Sequence, residues 1–257
     1  MSEMDATVAG ASGDRPVPDR IRVHPSPIAG TVHVPGDKSL SHRALIVGAL
    51  ASDPVRVSGL ATSEDVRATA AALRSLGGKV TLRDVGGSLE GEVSGPLSEP
   101  TEVVDCGNSG TALRLLAGVA AGIDGITVLT GDASLRRRPV DRVIAPLAAM
   151  GARLRARAGD RLPPLVVEGG RLRGTSLESP VASAQVKTAV LLAGLGADGE
   201  TEITSPHPSR DHTERLLAHL GVDVTRDVLA DGRERVAVAP GSPRGGDLAV
   251  PGDPSSA

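Results

Sequence analysis

Leu73-Arg74-Ser75-Leu76-Gly77 returns twice in altered form, as Leu147-Ala148-Ala149-Met150-Gly151 and as Leu217-Ala218-His219-Leu220-Gly221. In each copy an apolar-periodic helix ends on glycine, which enters the left-handed C-cap conformation without a Cβ penalty. A strand-like stretch follows each glycine, at 79–82, 152–155 and 222–225. The capping glycines are 74 and 70 positions apart. Spacing of that length, with one supersecondary pattern per repeat, is the mark of an internally repeated fold.

Working outward, a second helix opens each unit, over about 39–52, 109–122 and 183–196. The two helix series advance in near step, so the chain holds three similar units. Strands alternate with helices in each, which predicts an α/β architecture.

The opening helices begin with small polar residues: Gly36-Asp37-Lys38-Ser39-Leu40-Ser41-His42-Arg43, Gly107-Asn108-Ser109-Gly110-Thr111-Ala112 and Ser183-Ala184-Gln185-Val186-Lys187-Thr188. A helix start offers free N–H groups and the positive end of the helix dipole, both suited to phosphate or carboxylate. Any one of these starts reads most simply as an ordinary N-cap. Three of them, with Lys38 and Arg43 in the first turns, predict convergence on an anionic ligand. No nucleotide-binding loop is present, neither G-x-x-x-x-G-K-[ST] nor G-x-G-x-x-G before a helix.

Leu135-Arg136-Arg137-Arg138-Pro139 precedes the second closing helix. Guanidinium groups fork onto phosphate or carboxylate. Arg136 and Arg137 read as a solvated turn, and Arg138 as the one that turns inward. Ser209-Arg210-Asp211-His212-Thr213-Glu214-Arg215 opens the third closing helix, with Asp211 and Glu214 spaced as a capping box. His212 reads as a packing or surface residue. None of the six histidines has metal-ligand spacing, so no metal and no cofactor are expected. Cys106, the only cysteine, has no evident base beside it and reads as a small residue in a tight turn. A lone thiol can make neither an internal disulfide nor a cysteine-cluster metal site, which fits a reducing cytoplasm.

Composition narrows the partners. Phe, Tyr and Trp are all absent, so the core must be aliphatic, and bases have no ring to stack on. Net charge is -3, which gives no global field for nucleic acid or for an anionic membrane. The most apolar run, 189–197, is short and broken by Gly194 and Gly196, so no membrane span is expected. Residues 1–20 lack the apolar region of a secretory signal and are expected to form a disordered tail.

Val34-Pro35-Gly36-Asp37 is echoed by Val250-Pro251-Gly252-Asp253. The first copy runs into a helix. The second falls just after the third unit, and predicts that a similar second half begins there and is cut short.

Taken in order, the motifs at 36–43, 107–111, 131–139, 183–185 and 209–215 resemble the bacterial 5-enolpyruvylshikimate-3-phosphate (EPSP) synthase family, and the resemblance runs from about Val34 to Ala257. It implies an enolpyruvyl transferase-like inverse α/β barrel lobe built of three βαβαββ-type repeats over 34–249. Residues 21–33 would be a strand of the other lobe, and 250–257 the start of that second lobe. It implies transfer of the enolpyruvyl group of phosphoenolpyruvate to the 5-hydroxyl of shikimate 3-phosphate, without a cofactor, by a cytoplasmic enzyme that is monomeric at full length. Position by position, Lys38, Ser39, Arg43, Ser183, Ala184, Gln185 and Ser205 would hold shikimate 3-phosphate, with Ser209 an alternative to Ser205. Lys38, Gly110, Arg138 and Gln185 would face phosphoenolpyruvate, supported by Asn108 and Thr111. The groups that move protons would lie in the second lobe, so these 257 residues alone are expected to be inactive. The related UDP-N-acetylglucosamine enolpyruvyl transferases carry a reactive cysteine shortly before an Arg-Pro pair; Ala133-Ser134-Leu135 stands there instead. A non-catalytic anion-binding fragment is the remaining alternative.

Overall fold

The computed structural model describes Gly30 and residues 34–254. The tail and the strand expected at 1–33, and the last residues of the chain, lie outside that range apart from Gly30. The elements run α1 (Lys38–Ala49), β1 (Val55–Leu60), α2 (Glu64–Ser75), β2 (Lys79–Val85), β3 (Ser88–Ser94), β4 (Val104–Asp105), α3 (Gly110–Ala121) and β5 (Gly125–Thr130). A 3-10 turn at Leu135–Arg137 leads to α4 (Asp141–Ala149), β6 (Arg153–Ala156), the single turn α5 (Arg157–Asp160), β7 (Leu162–Gly169) and β8 (Ser176–Glu178). The third unit holds α6 (Ala184–Gly194), β9 (Thr201–Ser205), α7 (His212–His219), β10 (Val224–Val228) and β11 (Glu234–Val238), and β12 (Gly246–Ala249) follows.

Both helix series stand where the repeat put them. Gly77, Gly151 and Gly221 after the closing helices have φ of 88°, 113° and 80°, the left-handed exit that glycine allows. The opening helices are shorter than expected. The first ends at Ala49 rather than near Ser52, because Ser52 N–H turns away to the Pro243 carbonyl.

Three four-stranded sheets share one strand order: β12-β1-β3-β2, β4-β5-β7-β6 and β8-β9-β11-β10. In each the first pair is parallel and the other two pairs are antiparallel. Parallel neighbours need a crossover, supplied by α3 between β4 and β5 and by α6 between β8 and β9. The first sheet takes its outer strand from the far end of the chain: β12 pairs beside β1 with Val55 opposite Gly246. That placement was not readable from the order of elements.

The opening helices are the inside of the molecule. Almost every residue of α1, α3 and α6 beyond its first turn is buried, small ones included. Without aromatic rings the core closes by bringing backbones near one another. A Cβ on Gly118 of α3 would fall 2.1 Å from the carbonyl oxygen of Ala189 on α6. The two Val-Pro-Gly-Asp copies lie against each other as an antiparallel bridge, with Asp37 N–H donating to Pro251 O at 2.9 Å and Asp253 N–H to Pro35 O at 2.8 Å.

Candidate functional site

Each opening helix is capped by the side chain before it. Asp37 Oδ1 accepts from Leu40 N at 2.6 Å, Ser109 Oγ from Ala112 N at 3.0 Å, and Ser183 Oγ from Val186 N at 3.4 Å. A cap of this kind satisfies the third N–H of the helix. It leaves the first two without an intrahelical acceptor. Those are the N–H groups of Lys38 and Ser39, Gly110 and Thr111, Ala184 and Gln185, six of the residues singled out in the sequence.

Side chains tie the three starts together. Gln185 Nε2 donates to Thr111 Oγ1 at 2.9 Å, and Gln185 Oε1 accepts from Arg114 Nη1 at 2.9 Å. Arg43, buried at 4% exposure, reaches across units: Nε donates to Thr213 Oγ1 at 2.8 Å, Nη2 to Thr188 Oγ1 at 3.1 Å and Nη1 to the Ser39 carbonyl at 3.0 Å. A guanidinium has five N–H donors, so two remain for a ligand. Burial pulls its pKa below the usual value, with Glu214 opposing, yet a guanidinium keeps its charge.

A cleft of about 620 Å³ opens here, lined from α1 by Ser39 and Arg43, from the α6 start by Ser183, Ala184 and Gln185, and from the β9–α7 loop by Ser209 and Arg210. Of the two serine candidates, Ser209 lines this cleft. Ser205 closes β9 at 2% exposure and does not. Lys38 is exposed, with Nζ 2.9 Å from Asp65 Oδ2.

The second cluster sits at the start of α3. Arg138, exposed rather than turned inward, donates through Nη2 to Asn108 Oδ1 and to Ser134 Oγ at 3.3 Å. Asn108 in turn donates to Asp132 Oδ2 at 2.6 Å. Asp132 is held below the usual carboxylate range by the Leu135 N–H first and by Asn108 second. Of its two neighbours, Arg136 donates to the Gly131 carbonyl at 2.8 Å.

Other readings change. Asp211 and Glu214 form no capping box: Asp211 accepts from Arg215 Nε at 2.8 Å, and Glu214 turns inward to Lys187. An ammonium in the core outcompetes an N–H at a helix end for that carboxylate. Cys106 is fully buried, and burial pushes its thiol up to about 12, so it is protonated and shielded. Among the described residues no group of His, Cys, Asp and Glu is arranged to hold a metal ion, and no helix is long and apolar enough to cross a membrane.

Two arginines were missed. Arg114 lies one turn after Gly110, and the i, i+4 spacing on one helix face was the available signal. Arg210 stands within the 209–215 motif, whose spacing alone assigns it no role. Among the described residues it makes no ion pair, and it lowers the pKa of Arg43 by like-charge proximity.

His42 braces the same region from beneath. Its Nδ1 is 2.7 Å from Thr69 Oγ1 and its Nε2 is 3.4 Å from Ser109 Oγ, the cap of α3. Thr69 also donates to the Asp65 carbonyl at 3.2 Å. The consistent assignment is Nδ1–H donating to Thr69, with Nε2 accepting from Ser109. Burial lowers the pKa from 6.5 to about 4, with Asp65 opposing and Lys38 and Arg43 adding to the fall. The unfolded chain therefore binds this proton first as pH drops. Folding stability should fall between pH 6.5 and about 4, by on the order of 3 kcal/mol, and then level off. Urea titrations across that range should show the loss relative to His42→Gln, which cannot titrate. Parallel curves for the two proteins would refute it.

Three related βαβαββ units with capped helix starts tied together beside one basic cleft define a lobe of the enolpyruvyl transferase class. The family model described as EPSP synthase (3-phosphoshikimate 1-carboxyvinyltransferase) matches residues 23–257, so the chain belongs to the EPSP synthase family. It is 57% identical over 231 residues to the 3-phosphoshikimate 1-carboxyvinyltransferase of Anaeromyxobacter dehalogenans (strain 2CP-C), covering 90% of this chain and 51% of that protein. The protein of that name from Anaeromyxobacter sp. (strain Fw109-5) is 58% identical, with coverage of 90% and 52%. A solved structure of EPSP synthase from Acinetobacter baumannii superposes with a TM-score of 0.79 at 39% identity, covering 87% of this chain and 50% of that one. The chain spans about half the length of the curated relatives it matches.

Proposed function

We propose that this chain supplies the half of an enolpyruvyl transfer site that grips shikimate 3-phosphate and orients phosphoenolpyruvate. One observation carries the reading: three helix starts each leave two N–H groups without an intrahelical acceptor, the α1 and α6 starts line one basic cleft, and Gln185 joins the α6 start to the α3 start. Phosphate and carboxylate are the ligands such a site favours.

In this reading Ser39, Arg43, Ser183, Ala184 and Gln185 hold shikimate 3-phosphate, with Ser209 rather than Ser205 reaching its phosphate. Arg210 adds a second guanidinium. Lys38, released from Asp65, lies between the two substrates. Gly110, Arg138 and Gln185 face phosphoenolpyruvate, with Asn108 and Thr111 orienting Arg138 and Gln185. Two polyanions held side by side need this density of fixed positive charge.

The reaction joins the 5-hydroxyl oxygen of shikimate 3-phosphate to C2 of phosphoenolpyruvate as that hydroxyl gives up its proton and C3 gains one. C3 then loses a proton as phosphate leaves C2 with its bonding pair, and the C2=C3 double bond reforms. Proton transfer to carbon needs a positioned acid. Among the described residues, neither the cleft nor the Arg138 cluster presents a half-buried carboxylate free of partners for that task. The chain by itself is therefore expected to bind shikimate 3-phosphate weakly and to turn over essentially nothing. Phosphate release under steady state, beside calorimetric titration with shikimate 3-phosphate, checks both; robust turnover by the purified chain would sink the half-site reading.

A further inference from the structure

Lys187 follows Gln185 by two positions on α6, and its side chain is 1% exposed. An ammonium at that depth must be compensated. Its Nζ lies 2.5 Å from Glu214 Oε1 on α7 and 2.9 Å from Glu234 Oε2 on β11. Glu234 is fully buried too. Its Oε1 accepts from Arg226 Nε at 2.7 Å. Its Oε2 also accepts from the Ser209 backbone N–H at 3.1 Å and, at the limit of reach, from the Ser209 hydroxyl at 3.4 Å.

Buried ion pairs are weak evidence for stability, since well-packed apolar residues often serve as well. What this cluster provides is a fixed relation between two segments. At one end is the α6 start, with Ser183, Ala184 and Gln185. At the other is the β9–α7 loop, with Ser209 and Arg210. Both line the cleft, whereas Glu234 does not line it and meets it only through Ser209.

We propose that Glu234 is a positioning residue: held between Lys187 and Arg226, it fixes the Ser209 N–H and hydroxyl and so sets the loop wall of the anion cleft against the start of α6. Electrostatics agree with the geometry. Burial would raise the Glu234 pKa, but hydrogen bonds from Lys187, Arg226 and Ser209 overcome it and hold the carboxyl below its ordinary value. Glu214 accepts no hydrogen bond besides its contact with Lys187, so Glu234 is the member that transmits order to the loop. The functional part of this proposal rests on the cleft being the shikimate 3-phosphate site.

The test uses the 257-residue chain and its Glu234→Gln variant, which leaves Lys187 facing Glu214. Ser209 amide exchange should quicken about tenfold or more in the variant while α6 and α7 amides keep their protection, as loss of one charge-assisted hydrogen bond predicts. Affinity for shikimate 3-phosphate should weaken by about tenfold. Arg226→Ala, at a partly exposed position, should move both readouts the same way by a smaller factor, and decides the matter if Glu234→Gln does not fold. A folded variant with lower stability but unchanged Ser209 exchange and unchanged affinity overturns the proposal, since a merely structural pair would behave so. Failure of the unsubstituted chain to bind shikimate 3-phosphate overturns the site reading instead, and exchange at Ser209 still decides whether Glu234 holds the loop.

Discussion

Gly118→Val is expected to abolish cooperative folding of the chain. A Cβ at Gly118 would stand 2.1 Å from the Ala189 carbonyl oxygen and 2.8 Å from the Ala189 Cα and carbonyl carbon. All three are backbone atoms in the middle of a buried helix, so no rotamer change relieves the contact. α3 and α6 would have to separate along their shared contact, between the second and third units. Overpacking commonly costs about 1–3 kcal/mol when side chains can shift, and more when they cannot. Against a net stability of roughly 5–15 kcal/mol for a typical domain, the loss is decisive. Gly110→Ala is the control. Its Cβ would meet Arg114 Nη1 at 2.9 Å, the tip of a flexible side chain, and it sits in the first turn of the same helix. That variant should fold within about 1 kcal/mol of the parent, since alanine is the better helix former. Urea melts of the two variants should separate widely; similar midpoints would show that α3 and α6 are not packed as described.

Arg43→Ala should cost both stability and ligand. The side chain joins α1 to Thr188 on α6 and Thr213 on α7, which also bond each other at 2.6 Å. Its loss removes three hydrogen bonds and opens a void between α1, α6 and α7, about 2–4 kcal/mol together. The same guanidinium contributes two unspent donors to the cleft, so affinity for shikimate 3-phosphate should fall by more than about tenfold. Arg43→Lys separates the effects. It keeps the charge and most of the volume but cannot reach two threonines and a ligand at once. Its stability should be partly restored and its affinity should remain low. Calorimetric titration and urea melts on the three proteins check this, and full binding by Arg43→Lys would show that only charge matters.

Much of the candidate site was legible because it is local. Asp37, Ser109 and Ser183 act within three residues of themselves, and each fixes which N–H groups stay free. Arg138 and Asn108 sit at the boundaries of elements that the glycines already marked. Arg114 and Arg210 were harder, because their value lies in Gln185 and Arg43, dozens of residues away. The Asp211–Glu214 spacing misled for the same reason: a carboxylate three residues from a cap obeys the nearest donor unless a buried ammonium reaches it.

The amino-acid order alone determined the three units, their helix caps and glycine exits, and an aliphatic core, since each depends on interactions spanning a turn or two. Only the folded chain decided that β12 joins β1, that Arg43 spans three helices, that Ser209 rather than Ser205 faces the cleft, and that Lys187 is buried between two glutamates. Those outcomes depend on which surfaces meet across 25 to about 190 positions of chain, and burial, not local preference, selects among them.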